Sequence, residues 1–186
     1  MKPGVRALGV AESFTGDRST LAGVVTRASR AVDGFAFATC TVGGRDATDA
    51  VAALYDDLDR EDVRYLLLAG VAPAWFNVLD LHSLRERTDR PVLSVTFEES
   101  PGLEPALREH FEGDALAARL DTYRAQPARR ELCVNDQRLF VRSVGLDESE
   151  ANDVVRAFTP AGGRPEPLRV ARLAARAADA LRRDER

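Results

Sequence analysis

The stretch from residue 64 to residue 71, RYLLLAGV, constrains the fold of this chain more than any other part of its sequence. After its first residue the stretch is nearly all apolar, so a strand formed here would bury side chains on both of its faces. Burial on both faces is typical of a central strand in a parallel sheet that helices cover on either side. A second buried strand, PVLSVTF at residues 91–97, follows it. The sequence therefore predicts an α/β protein.

The order of the remaining elements narrows the fold class. Apolar residues recur at helical spacing from Asp46 to Asp59, and Asp46 with Asp49 predicts a capping box. The predicted strands are 5–10, 20–29, 34–42, 64–71, 91–97 and a hairpin that turns at Asn135 and Asp136. The predicted helices are 46–59, 76–88, one that opens at Ser100 and Pro101, 114–126, one with a capping box of Asp147 and Glu150, and about 165–183. Three antiparallel strands followed by βα units predict a ribonuclease H-like mixed sheet with helices on both faces, in which the first strand pairs with the fourth.

Length and charge limit the class of protein. The chain has 186 residues, which predicts a single domain over residues 1–186. Acidic residues exceed basic ones by four, which argues against a strongly basic nucleic-acid binder such as a histone-like protein. No apolar run approaches the roughly 18 residues that a membrane span needs, and the N-terminus lacks the apolar core of a signal peptide. We therefore expect a cytoplasmic protein.

Two of the predicted strands end in a way that raises the question of a metal site. In an open α/β sheet, ligands bind at the carboxyl ends of the strands. If the first and fourth strands pair, Ala11 and Ala69 lie where two facing carboxylates would hold a divalent metal. Glu12 stands next to Ala11. Because adjacent residues of a strand face opposite sides, Glu12 would replace a carboxylate at position 11 only if the strand twists there.

Five stretches together resemble one protein family. They are LGVAESF at 8–14, VGGRDAT at 42–48, GVAPAWFNVLDL at 70–81, RPVLSVT at 90–96 and PEPLRVARLAARA at 165–177. On these stretches, nearly the whole chain resembles the archaeal endonuclease dU family, which is related in fold to endonuclease V. The resemblance implies a ribonuclease H-like fold and a metal-dependent nick near deoxyuridine or deoxyinosine in DNA. It also implies Mg²⁺ or Mn²⁺ as the cofactor and deaminated DNA as the partner.

The chain departs from the pattern of the family at three positions. The resemblance leads us to expect an aspartate where Ala11 stands and a histidine where Arg172 stands. The endonuclease V relatives have an aspartate at the position of Ala69. Two hypotheses follow: a metal-dependent endonuclease of DNA repair, or a catalytically degenerate protein that keeps the fold and binds nucleic acid or another partner.

A nuclease of this kind uses carboxylates to hold a metal that ionises the attacking water and offsets charge on the scissile phosphate. The candidate catalytic residues are Glu12, Asp46 and Asp80, and the candidate metal ligands are Glu12 and Asp46. Each has a structural alternative: a solvated strand-end acid for Glu12, a helix N-cap for Asp46, and a solvent-facing residue for Asp80. An acid that replaces Ala11 could also come from Glu98 or Glu99, after the fifth strand.

Four residues are candidates for contact with the substrate. Trp75 would stack on a base or wedge beside it, and a core position is the alternative. Asn77 would orient a phosphate or a base, with a loop or cap role as the alternative. Arg169 either pairs with Glu166 or contacts a phosphate. Arg172 belongs to an arginine stripe on the last helix that either contacts the DNA backbone or is a solvated face.

Overall fold

The computed structural model describes residues 1–184, which contain a seven-stranded sheet and seven helical segments. The strands are β1 (Arg6–Thr15), β2 (Arg18–Arg27), β3 (Val32–Thr41), β4 (Val63–Leu68), β5 (Val92–Thr96), β6 (Arg130–Val134) and β7 (Gln137–Val144). The helical segments are α1 (Ala47–Asp57), α2 (Pro73–Phe76), α3 (Leu81–Thr88), α4 (Glu104–His110), α5 (Gly113–Arg124), α6 (Glu148–Ala157) and α7 (Glu166–Asp184). Within these residues, no helix is both long and apolar enough to cross a membrane.

The sheet has the strand order β3-β2-β1-β4-β5-β7-β6. Strands β1, β2 and β3 are antiparallel to one another, β4 is parallel to both β1 and β5, and β7 is antiparallel to β5 and β6. Strand β4 lies at the centre because Leu66, Leu67 and Leu68 bury side chains on both faces. The predicted pairing of the first and fourth strands, and with it the ribonuclease H-like order, is confirmed.

The side chains of β1 contribute to two separate cores. Leu8 and Val10 pack on the face that α1 and α3 cover. On the other face Ala7 joins the core beneath α6, and Ala11 packs against Ala171 of α7. Helices therefore cover both faces of the sheet, as the continuous apolar character of the central strands predicts.

Two local signals are confirmed at the positions that the sequence gives. Asn135 and Asp136 have φ values of 49° and 61° and connect β6 to β7 in a tight turn. Asp147 accepts a hydrogen bond from the Glu150 N–H at 2.8 Å, and Glu150 accepts one from the Asp147 N–H at 3.1 Å, which is the predicted capping box. Both signals hold because their interacting groups are only a few residues apart.

One strand prediction and one capping-box prediction are wrong. The first strand does not end near residue 10, because the β1–β2 hairpin continues to the pair of Thr15 with Arg18. Asp46 occupies the N-cap position of α1 without a side-chain cap hydrogen bond. Asp49, the expected capping-box partner, lies 2.6 Å from Arg87 in an ion pair.

Two helix predictions are also wrong in their bounds. The predicted helix 76–88 begins only at Leu81, because the backbone of the preceding residues leaves the helical region. The helix expected to open at Ser100 begins at Glu104. The Ser100 hydroxyl instead accepts a hydrogen bond from the Gly102 N–H at 3.1 Å, which forms a local turn.

Helix α7 lies against β1 at a glycine. A Cβ atom added to Gly9 would be 2.4 Å from the carbonyl carbon of Pro167, so the backbone of α7 occupies the space that any other residue needs. This contact fixes how closely the arginine-bearing helix approaches the sheet.

We predict that Gly9→Ala lowers the free energy of unfolding by about 1–3 kcal/mol, because the new methyl group displaces the backbone of α7. Urea unfolding followed by circular dichroism measures the change. Gly4→Ala is the control, since nothing lies within 4 Å of a Cβ at that position. Equal stability of the two variants would contradict the close approach.

Candidate functional site

The end of β4 lies directly beside β1. The Ala69 N–H donates a hydrogen bond to the Val10 carbonyl at 3.0 Å, so the predicted adjacency of Ala11 and Ala69 is confirmed. Ala11 is only 3% exposed and packs with Val24 and Ala171. The position at which the family resemblance leads us to expect an aspartate therefore holds a methyl group beneath α7.

The space between these two alanines is small and apolar. Ala11, Glu12 and Ala69 line a crevice of about 10 Å³, together with aliphatic residues and Pro73. That volume is close to the minimum for one water molecule. Mg²⁺ binds six oxygen ligands and usually keeps several waters, so this crevice does not fit such an ion.

Glu12 lies on the face of β1 that Val10 shares, opposite to Ala11. Its Oε2 atom accepts a hydrogen bond from the Ser19 hydroxyl at 2.9 Å. Ser19 is fully buried, and this bond satisfies its donor. The strand therefore does not twist to bring Glu12 onto the face of Ala11.

Asp46 ties the end of β3 to the start of α1. Its carboxylate accepts hydrogen bonds from the Thr41 N–H at 3.0 Å, from the Thr41 hydroxyl at 2.9 Å and from the Asn77 amide at 2.7 Å. Burial raises the pKa of Asp46, but these hydrogen bonds outweigh burial and the net pKa is lowered. Asp46 is thus an ionised structural acceptor.

The buried Cys40 thiol is near enough to Asp46 and Glu12 for their charges to act on it. Burial raises the pKa of Cys40 to about 11, and the negative charges of Asp46 and Glu12 contribute to the rise. A thiol with this pKa stays protonated at neutral pH, so Cys40 is not an activated nucleophile.

Asn77 and Asp80 both form structural hydrogen bonds, and for Asn77 this is the cap role given as its alternative. Asn77 is fully buried; its amide donates to the Thr41 carbonyl at 2.9 Å and accepts from the Ala47 N–H at 3.0 Å. It therefore caps α1 from a distant loop, and we do not assign it a substrate contact. Asp80 is the N-cap of α3 and accepts from the Ser83 N–H at 3.0 Å.

The donor set at this end of the sheet does not fit a divalent metal centre. Within residues 1–184, no group of three His, Cys, Asp or Glu side chains is arranged to hold a metal ion. Glu12, Asp46 and Asp80 each have another hydrogen-bond partner. Their assignment as catalytic residues, and that of Glu12 and Asp46 as ligands of Mg²⁺ or Mn²⁺, remains a prediction that this geometry disfavours.

Trp75 lies in a backbone segment of unusual conformation. Ala74, Trp75 and Phe76 have successive φ values of 49°, 53° and 63°, in the left-handed region that disfavours residues with a Cβ. The Trp75 side chain is 44% exposed, and its ring lies 5.4 Å from the rings of His110 and Phe111. An exposed aromatic ring is thus presented by a strained loop after β4.

Arg119 holds this loop in place. It is 5% exposed and donates hydrogen bonds to the carbonyls of Phe76 at 3.2 Å and Gly44 at 3.0 Å, and to that of Gly43. Its guanidinium group lies 3.9 Å from the centre of the Phe111 ring. One buried cation therefore joins the Trp75 loop, the turn after β3 and helix α5.

The arginines of α7 differ in their pairing. Arg169 forms two hydrogen bonds with Glu166, at 2.6 and 2.7 Å, so the ion-pair alternative is the one observed. Arg172 and Arg176 have no carboxylate within salt-bridge distance among residues 1–184. Together with Arg164 they line a surface groove of about 380 Å³. Two arginines of the helix that lack a carboxylate partner in the described part of the chain therefore line this groove, beside the paired Arg169.

A larger cleft of about 410 Å³ opens beside Gly70, between the ends of β4 and β5. The arginines that line it are Arg129, Arg142, Arg164 and Arg172. Sequence reasoning singled out only Arg172, because the other three come from segments that only the sheet order brings together. One signal was available: Phe140 and Arg142 are two residues apart in β7 and so share a face.

We predict that Asp46→Ala lowers the free energy of unfolding by about 1–3 kcal/mol at pH 7, because the buried Asn77 amide and the Thr41 donors lose an ionised acceptor. The pKa of Asp46 is lower in the folded protein than in the unfolded chain, where it lies at about 3.9. The stabilisation by Asp46 is therefore present above this value and is lost as the pH falls through the lower pKa of the folded protein. Urea unfolding between pH 7 and pH 2.5 should show the wild type and the variant converging in acid. Asp57→Ala, at the exposed end of α1, is the control. A difference that stays constant with pH would contradict this account.

Comparison with known proteins agrees with the fold and the resemblance. The endonuclease dU family model matches residues 3–179. The UPF0215 protein of Thermococcus kodakarensis is 37% identical over 186 residues, covering 95% of this chain and 93% of its own. The UPF0215 protein of Pyrobaculum calidifontis is 32% identical over 171 residues, covering 90% and 93%.

Solved structures show the same fold. A protein of unknown function from Archaeoglobus fulgidus superposes with a TM-score of 0.82 at 27% identity, covering 93% of this chain and 97% of its own. Human endonuclease V superposes with a TM-score of 0.65 at 18% identity, covering 94% and 84%. Endonuclease V of Ciona intestinalis, in complex with a 24mer DNA containing an inosine, gives 0.59 at 12% identity, covering 93% and 84%. The solved structures show the fold, and the family match suggests a nuclease-type protein that acts on DNA. On the match over residues 3–179 and these identities, the chain belongs to the endonuclease dU family.

Proposed function

We propose that this protein binds DNA that contains a deaminated base, and that it does so without a divalent metal centre between β1 and β4. The observation that carries the proposal is the arginine groove along α7, in which Arg172 and Arg176 lack a carboxylate partner among residues 1–184, and which shares Arg172 with the cleft beside Gly70. The family description and the inosine-containing DNA bound to the Ciona protein supply the class of ligand.

The charge distribution supports contact with a phosphate backbone. The chain has a net charge of −4, so a general attraction to DNA is absent and binding must depend on local charge. Arg164, Arg172 and Arg176 provide that charge in one groove without carboxylates that would compete for their N–H groups. Guanidinium groups bind phosphate oxygens through two parallel hydrogen bonds, which suits them to this contact.

The Trp75 loop supports contact with a base. Each left-handed residue costs roughly 1–2 kcal/mol, so three in succession persist only because the surrounding structure holds them. Arg119 and the Gly43 turn provide that support. The strained loop exposes about half of the Trp75 indole ring, and an unpaired base would stack on that ring.

The family resemblance favours a metal-dependent nick, whereas the packing favours the second hypothesis, binding by a catalytically degenerate member. Ala11 is sealed beneath α7, and the crevice beside Ala69 is small and, within residues 1–184, has a single carboxylate, Glu12, which already accepts a hydrogen bond from Ser19. DNA cleavage is therefore not part of the proposal. An assay with duplex DNA that carries one deoxyuridine or deoxyinosine separates the hypotheses. We expect no cut with Mg²⁺, with Mn²⁺ or with chelator, and a cut that needs either metal would overturn the metal-free part of the proposal.

We predict that the double variant Arg172→Glu/Arg176→Glu weakens binding to a labelled duplex with one deoxyuridine by about tenfold or more, because two phosphate contacts become repulsive. Fluorescence anisotropy at several salt concentrations measures the affinity, and the slope against log salt should fall by about 1 for each lost contact. Arg156→Glu, an exposed arginine of α6, is the control. If the control weakens binding equally, the groove is not the DNA contact.

We predict that Trp75→Ala weakens binding to the deoxyuridine duplex by about 1–3 kcal/mol, the range found for one base stacked on an aromatic ring. Trp75→Phe should retain part of this energy, whereas Phe35→Ala, an exposed ring on β3, should leave it unchanged. The same anisotropy assay checks the prediction, with a matched thymine duplex as the second ligand. Unchanged affinity and preference in Trp75→Ala would show that the ring does not contact the base.

A further inference from the structure

The cleft beside Gly70 has the size of a small-ligand site and an unusual lining. Its volume of about 410 Å³ falls within the range for small-molecule pockets. One part of its wall is apolar and includes Val71, Leu103 and the Tyr123 ring. The other part carries the four arginines Arg129, Arg142, Arg164 and Arg172 against one acid, Glu98. Proteins seldom gather four like charges without a counter-charge, because the repulsion is costly.

None of the four guanidinium groups has a carboxylate within salt-bridge distance among residues 1–184. Arg129 donates to the Ser100 carbonyl and to the Thr96 hydroxyl, each at 3.1 Å, and to the Glu98 carbonyl. Arg142 donates to the Tyr123 hydroxyl at 3.2 Å and to the Pro127 carbonyl. Neutral acceptors orient these side chains, and the nearby negative charge of Glu99 offsets only part of the positive charge of Arg129.

Aromatic rings hold the arginines in fixed positions. The guanidinium carbon of Arg129 lies 4.0 Å from the centre of the Phe140 ring, and that of Arg164 lies 4.4 Å from the centre of the Phe97 ring. Stacking restricts the planar group without using its N–H donors. The charge is therefore pre-oriented, which lowers the entropy cost of binding an anion.

The like charges are close enough to affect one another. Burial lowers the pKa of Arg129 and the positive charge of Arg142 lowers it further, while Tyr123 and the negative charge of Glu99 partly oppose the shift. An anion placed between the two side chains would remove this repulsion. Elsewhere on the surface the arrangement differs: Arg124, for example, pairs with Glu104 at 2.7 Å.

We propose that this cleft binds the phosphate monoester of a nucleotide. Four guanidinium groups match a terminal phosphate, which carries between one and a half and two negative charges at neutral pH, better than a backbone diester, which carries one. The apolar wall gives the sugar and base a place that a free phosphate ion would leave unused. The ligand is a nucleoside monophosphate in solution or the phosphorylated end of a DNA strand. Binding of a phosphorylated DNA end rests on the proposed function.

Isothermal titration of the full chain with deoxyuridine monophosphate, deoxyuridine and inorganic phosphate tests the first source. We expect binding of the monophosphate, at least tenfold weaker binding of phosphate, and none of the nucleoside. The variants Arg129→Gln and Arg164→Gln should each weaken monophosphate binding by about tenfold, the effect of one charge-assisted contact. Arg156→Gln is the control and should bind as the wild type does. Arg164 is exposed, so its variant keeps the test valid even where Arg129→Gln fails to fold.

Anisotropy with a labelled oligonucleotide that carries a 5′-phosphate or a 5′-hydroxyl tests the second source. A preference for the phosphorylated end that Arg164→Gln removes would support the proposal. Equal binding of both ends, together with no binding of the monophosphate, would overturn it. Binding of an intact deoxyuridine duplex in the same assay reports on the proposed function separately. If the duplex binds but the protein shows no preference for phosphorylated ends and does not bind the monophosphate, the cleft proposal fails and the proposed function stands. If the monophosphate binds and the duplex does not, the proposed function fails and the cleft proposal stands.

Discussion

The parallel pairing of β1 with β4 is the interaction on which the rest of the structure depends. It places the leucines of β4 between two helical layers and sets Ala69 beside Val10 at the point where β4 ends. Strand β1 continues past that point in its hairpin with β2, and α7 packs along it through the space left free at Gly9. A shift of this pairing by one residue would turn Leu8 and Val10 toward the wrong core and move α7 away from the cleft.

The same packing explains why the acidic residues of this region have structural roles. With Ala11 against Ala171, the space that an ion would need is filled by aliphatic groups. The remaining carboxylates then satisfy buried or helix-terminal donors: Glu12 accepts from Ser19, Asp46 from Thr41 and Asn77, and Asp80 from Ser83. A carboxylate engaged in this way would lose those partners if it moved to a metal.

This end of the sheet carries positive charge from arginine side chains. The acidic surplus of the chain is spread over its surface, where many arginines are paired, while the arginines of the cleft and groove are held by carbonyl groups and aromatic rings. Next to them, buried Arg119 supports a strained loop that presents Trp75. The proposed binding surface for phosphate and base therefore rests on the strands and helices of an endonuclease V-like fold.

The sequence alone determined the features whose interacting groups lie near each other along the chain or repeat at a fixed period. These include the central strands, the strand order that three antiparallel strands followed by βα units imply, the turn at Asn135 and the capping box at Asp147. It also placed Ala11 beside Ala69. Only the tertiary structure decided what those positions do, because burial beneath α7 and the cap that Asn77 gives to α1 join residues many positions apart. The four-arginine cleft was hidden for the same reason: an isolated arginine has the same local pattern whether it is solvated, paired, or aimed at an anion, and only the assembled sheet brings four of them to one cavity.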